Sequence, residues 1–107
     1  MELSLMAFSA SAAERIHRSF IQRMGRVLDR IEREHRFPNR IETYYLLNVM
    51  DDVADGRIST IEDSMLKAEA ATKATPDQIL RFTSSCPTMS INVMRAKLDT
   101  LADEVGR

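Results

Sequence analysis

Ser11-Ala-Ala-Glu-Arg-Ile-His-Arg-Ser-Phe20-Ile-Gln-Arg-Met-Gly-Arg-Val-Leu-Asp-Arg30-Ile-Glu-Arg-Glu-His-Arg-Phe37-Pro38 is the stretch on which the fold turns. Ile16, Phe20, Met24, Val27 and Ile31 recur at spacings of three and four, with Ile21 and Leu28 at the edge. That is one apolar stripe on an α-helix. Ser11 with Glu14 reads as a capping box, in which the two side chains satisfy free amides at a helix start. Only Gly25 weakens the run before Phe37-Pro38, and the residue before a proline avoids the α conformation. A long amphipathic helix is therefore predicted over about residues 12–36. At ~1.5 Å per residue it would be roughly 37 Å long. A compact chain of this size has a radius of gyration near ~13 Å. The helix must span the domain or project from it, and such helices often complete their core with a second copy.

The same stretch carries eight arginines and no lysine: Arg15, Arg18, Arg23, Arg26, Arg30, Arg33, Arg36 and Arg40. Arginine suits planar, multidentate contact with carboxylate or phosphate. On a helical wheel Arg15, Arg18, Arg26, Arg30, Arg33 and Arg36 fall opposite the apolar stripe. Glu14–Arg18, Asp29–Arg33 and Glu32–Arg36 form acid-first i,i+4 pairs, each worth a few tenths of a kcal/mol. Residues 11–40 hold 8 basic and 4 acidic side chains, net +4, whereas residues 41–70 hold 2 basic and 7 acidic, net −5. The overall charge of −1 therefore hides a dipolar chain. No aromatic residue shares the arginine face of the helix, Phe20 being on the apolar stripe, which disfavours stacking on single-stranded nucleic acid.

Beyond Pro38 the pattern stays helical. Asn39 and Glu42 repeat the capping logic before a helix over 40–55, whose Ile41, Tyr44, Tyr45, Leu46, Leu47, Val49, Met50 and Val53 cover more than one face. It should be the most buried helix, ending at Gly56 as its C′ residue. Ser59 with Glu62 opens a helix to about Lys73, and Thr75-Pro-Asp-Gln78 opens a short one over 76–84 with proline at the favoured first position. Ser84-Ser-Cys-Pro87 breaks it. A last helix over about 88–105 carries Ile91, Met94, Leu98, Leu101 and Val105 at 3-4-3-4 spacing, like the seam of a bundle. The chain is thus predicted to be a single all-α domain over 1–107, an irregular bundle of four or five helices. Residues 1–10, ahead of the first cap, read as a disordered lead-in.

Asp51–Glu62 can be laid on a twelve-residue EF-hand loop. Asp51, Asp55, the carbonyl of Arg57, Ser59 and Glu62 take ligand positions, and Gly56 takes the sharp turn. Position 3 fails, because Val53 has no side-chain oxygen, and no second loop is present to pair with it. A C-cap glycine followed by an apolar contact and an N-cap serine explains the same residues more simply. The two shortest-spaced C-terminal helices resemble a helix-turn-helix in outline, but the turn lacks glycine and residues 75–107 balance 4 basic with 4 acidic side chains. His17 and His35 stand eighteen residues apart and read as structural, and Met24, Met50, Met65 and Met94 as packing. Cys86, the one cysteine, excludes an internal disulfide and suits a reducing compartment. No glycine-rich phosphate loop, catalytic triad or zinc spacing occurs, so no enzymatic activity and no cofactor are expected. No apolar run approaches the ~20 residues needed to span a bilayer. Glu2 and the lack of a basic n-region speak against a signal peptide. A cytoplasmic location is expected.

Tyr45-Leu-Leu47 and Thr75-Pro-Asp-Gln-Ile-Leu-Arg-Phe-Thr-Ser-Ser85 resemble corresponding segments of the FlhD family of flagellar transcriptional activator subunits. The resemblance covers Tyr45–Met89, and the arginine helix is additional to it. It implies an oligomer that regulates transcription together with a partner subunit. Taken together, the residues predict a small regulatory or adaptor protein, homodimeric, that binds an acidic protein partner through Arg15, Arg18, Arg26, Arg30, Arg33 and Arg36. Direct nucleic-acid binding through the same face is the alternative, and a degenerate calcium module the second.

Overall fold

The computed structural model describes residues 2–57, 59–83 and 88–105, with side chains from Arg15 onward. Among these residues there are five α-helices and no strand: α1 (Glu2–Arg33), α2 (Arg40–Asp55), α3 (Ile61–Ala70), α4 (Pro76–Arg81) and α5 (Ile91–Val105). A 3-10 turn, Ala71–Lys73, extends α3. The fold is the all-α bundle that the periodicity predicts.

Both ends of α1 differ from expectation. The helix starts at Glu2, so Ser11 lies inside it and residues 2–10 continue it. Leu3, Leu5, Met6, Ala7, Ala10, Ala12 and Ala13 are strong helix formers with no glycine or proline among them. At the other end the helix stops at Arg33 because His35 adopts the left-handed conformation, φ 52°. His35 N–H donates to the Glu32 carbonyl at 3.0 Å, and Arg36 N–H to the Ile31 carbonyl at 3.5 Å. This is a Schellman closure with histidine where glycine is usual, and Pro38 follows as a buried residue.

The cap of α2 forms as read. Glu42 N–H donates to Asn39 Oδ1 and Asn39 N–H to Glu42 Oε1, each at 2.8 Å. The Asn39 amide also donates to the Ala71 carbonyl at 3.0 Å, tying the start of α2 to the end of α3. Gly56, at φ 72°, closes α2 with a second Schellman pair, Gly56 N–H to Val53 and Arg57 N–H to Asp52. The box at the start of α4 forms too, with Gln78 N–H on Thr75 Oγ1 and Thr75 N–H on Gln78 Oε1. The box expected at Ser59–Glu62 does not. The N-cap of α3 is Thr60, whose hydroxyl donates to Asp52 instead, while Glu62 is drawn to Arg23.

Helix α2 packs most extensively on α3, and α1 on α5. Phe20, Met24, Val27, Leu28 and Ile31 of α1 meet Leu46, Val49, Met50 and Val53 of α2, Ile61, Met65 and Ala68 of α3, and Met94, Leu98 and Leu101 of α5 in one core. Met24, Met50, Met65 and Met94 are all buried there, as packing. Phe82, just after α4, sets its ring edge-on to Tyr44 at 5.3 Å and fixes α4 against α2. Principal extents are 55 × 24 × 21 Å. A body of helices no longer than 16 residues reaches the first figure only because α1, 32 residues and about 48 Å long, runs on past it.

Candidate partner interface on the arginine helix

Two of the arginine helix's neighbours hold it by charge. On the α3 flank, Arg23 is only 18 % exposed. Its Nη1 lies 2.8 Å from Glu62 and its Nη2 2.6 Å from Glu69, with Nε closing the second arm at 3.1 Å. The guanidinium also sits 5.5 Å over the Phe20 ring. Hydrogen bonds to Glu69 and then Glu62 raise its pKa above the ordinary arginine value, so it is a fixed cation. On the α5 flank, Arg95 bridges Asp29 and Glu32 of α1. These two carboxylates, read from sequence as partners for Arg33 and Arg36 along the helix, are thus taken by another helix.

Arg36, counted in the sequence among the interface residues, leaves that set. With α1 ending at Arg33, Arg36 lies in the turn and folds inward. Its Nη1 and Nη2 grip Glu42 at 2.7 and 2.9 Å, and Glu42 is wholly buried. The hydrogen bonds to Glu42 hold the Arg36 pKa above the ordinary value. A bidentate pair of this kind satisfies a carboxylate that burial would otherwise penalise heavily.

Arg15, Arg26 and Arg33 are exposed and make no ion pair with another described residue. Arg30 is exposed and makes a long contact with Glu34, 3.6 Å. Arg18 is exposed and already engaged. Arg26, Arg30 and Arg33 stand one turn apart and, with Arg23, Glu69 and Thr72, border a shallow cleft of about 300 Å³ between α1 and α3. Chemically this is a row of planar donors able to take carboxylates side-on. Glu14, the expected partner of Arg18, lies outside the described side chains.

The acidic turn is built differently from a cation loop. Asp55 pairs with Arg57 at 2.9 Å, Glu62 is on Arg23, Ser59 is exposed, and Asp51 stands on the far side facing α5. Asp52, which the loop alignment left unused, turns inward and accepts from Arg57 Nε and the Thr60 hydroxyl, both at 3.0 Å. The Arg57 guanidinium thus pairs with two of the turn's carboxylates, Asp52 and Asp55. Among the described residues no three His, Cys, Asp or Glu side chains are placed to share a metal. Ile58, the loop's apolar position, and Cys86 lie outside the described residues. His35 is exposed in its turn, and the Nε2 of His17 is buried without a hydrogen-bond partner. No described helix is long and apolar enough to cross a membrane.

One feature escaped the sequence. Helices α2 and α5 leave a groove of about 530 Å³ between them, floored by Leu47, Met50, Ala54, Val93, Ala96 and Leu101 and edged by Asp51, Lys97 and Glu104. Leu47 and Val93 sit off the main stripes of their helices, which is the only trace of it in the residue pattern. No family model matches this sequence, and neither a curated protein nor a solved structure is detectably similar to it.

Proposed function

We propose that this protein is a small adaptor or regulatory protein whose arginine helix docks on the carboxylates of a protein partner. The observation that carries the reading is the division of labour among its arginines. Arg23, Arg36, Arg57 and Arg95 are spent on internal carboxylates, whereas Arg15, Arg26 and Arg33 stay exposed with no ion pair to a described residue. A surface built only for solubility would gain little from choosing arginine throughout, since lysine is the better hydrated cation. The resemblance to the FlhD family extends the proposal to a regulator of transcription acting with a partner subunit. Arg15, Arg18, Arg26, Arg30 and Arg33 are the residues assigned to the interface.

The test is Arg26→Glu with Arg30→Glu. Protein purified from its own host, wild type and double variant, is analysed by native mass spectrometry with cross-link mapping. A defined partner is expected on the wild type, cross-linked to α1, and lost from the variant. Retention by the variant refutes the assignment. A mobility shift of duplex DNA at low salt, abolished by the same variant and steeply salt-dependent, would replace the protein partner with a phosphate backbone.

A further inference from the structure

The groove between α2 and α5 has no part in the arginine interface. Its walls come from those two helices alone, whereas the arginine cleft is lined by α1, α3 and the 3-10 turn. Its volume of about 530 Å³ lies over an apolar floor, and Val93 on its wall is 46 % exposed. Ala54 and Ala96 are exposed there too, and small side chains let a further helix approach closely. The charges on the walls select what that helix is. Lys97 and Glu104 lie two turns apart on the stripe of α5 that faces the groove, and Asp51 lies on the α2 wall. All three are exposed, and none makes an ion pair with another described residue. Along α5 the rise from Lys97 to Glu104 is about 10.5 Å, so the two do not meet within one helix.

We propose that two copies of the chain pair across this groove, α5 antiparallel to α5 about a two-fold axis. In a two-fold interface residue i of one copy meets j of the other, and j meets i. With the axis between Thr100 and Leu101, both groove residues, Lys97 of each copy stands against Glu104 of the partner subunit, so the contact forms twice. Parallel pairing would instead set lysine against lysine and glutamate against glutamate. The groove is thus complementary to itself: it carries both signs of charge at the spacing that a two-fold axis exchanges, over an apolar floor that the pairing removes from water. The acidic partner assigned to the arginine face does not suit it, because Asp51 and Glu104 would oppose carboxylates with like charge. Since α1 contributes nothing to the groove, the pairing does not rest on the arginine interface and leaves that row to its own partner.

Sedimentation equilibrium of the full chain at submillimolar concentration is expected to give a mass rising from 12.2 kDa toward twice that. Lys97→Glu and Glu104→Lys are each expected to raise the dissociation constant at least about tenfold, because one reversal turns two attractions into two repulsions. The variant carrying both is expected to return to within about threefold of the wild type, since each reversed charge again meets its opposite across the axis. Both positions are exposed, so circular dichroism should show the helices and the thermal transition retained. A wild type that stays monomeric, single variants as dimeric as the wild type, or a double variant no tighter than the single ones overturns the proposal. Arg26→Glu with Arg30→Glu is expected to leave the dimer intact, which reads this interface apart from the arginine face. A dimer lost with that variant overturns the proposal equally.

Discussion

Replacing Arg36 with alanine is the sharpest probe of how the bundle is held. Glu42 has no exposed surface and depends on three donors, the two ends of the Arg36 guanidinium and the Asn39 backbone N–H. Without Arg36, one donor remains for a buried carboxylate. Breaking a buried pair from one side costs about 3–5 kcal/mol. The Arg36 side chain is itself 29 % exposed, so water can reach the space it vacates, and the lower end is expected. About 3 kcal/mol is a large part of the ~5–15 kcal/mol that holds a domain together. For 107 residues, at ~2.1 cal/mol/K per residue, it lowers the melting temperature by roughly 13 °C. Adding Glu42→Gln removes the uncompensated charge but keeps an acceptor for Asn39, and should recover more than half of the loss. Urea unfolding followed by circular dichroism measures both. A loss under about 1 kcal/mol for Arg36→Ala would place the pair with ordinary surface ion pairs. So would an Arg36→Ala/Glu42→Gln variant no more stable than the single one, and either result refutes the reasoning.

The two described glycines should respond in opposite directions to the same change. A Cβ at Gly25 or at Gly56 meets nothing within 4 Å. Gly25 is in the interior of α1, so alanine should stabilise the protein by about 1 kcal/mol. Gly56 holds φ 72°, and alanine there should destabilise it by about 1–2 kcal/mol, both read from the same urea titrations. Met94→Ala, at a wholly buried position on α5, should cost about 2–5 kcal/mol with an unchanged denaturant slope. Arg26→Glu with Arg30→Glu should change stability by less than about 0.5 kcal/mol, which separates any loss of partner from a loss of fold.

Much of the architecture was legible because it is local. The α2 and α4 caps are settled within four residues, Asn39 to Glu42 and Thr75 to Gln78, and both formed. Gly56 ended α2 because a left-handed residue was needed one position past the helix, and Met94, Leu98 and Leu101 became core because 3-4 spacing puts them on one side. The ends of α1 were less legible. A capping box at Ser11 was available, but uninterrupted helix formers upstream made the cap unnecessary, and a histidine took a conformation usually given to glycine.

The fate of the charges was not in the local pattern at all. Arg23 meets Glu62 and Glu69 across 39 and 46 residues, and Arg95 meets Asp29 across 66. Once α3 lies beside α1, Glu62 gives up its reading as a helix cap, and once the chain turns at His35, Arg36 gives up its place on the outer face. By itself the sequence determined the helices, their apolar faces and most of their ends, because each depends on backbone hydrogen bonds and spacings within a few residues. Tertiary structure alone decided which arginines hold internal carboxylates and which stay exposed on the outer face. A guanidinium is bound by whichever carboxylate the packed helices bring within reach, and neighbours in space are set by the core and not by the order of the chain.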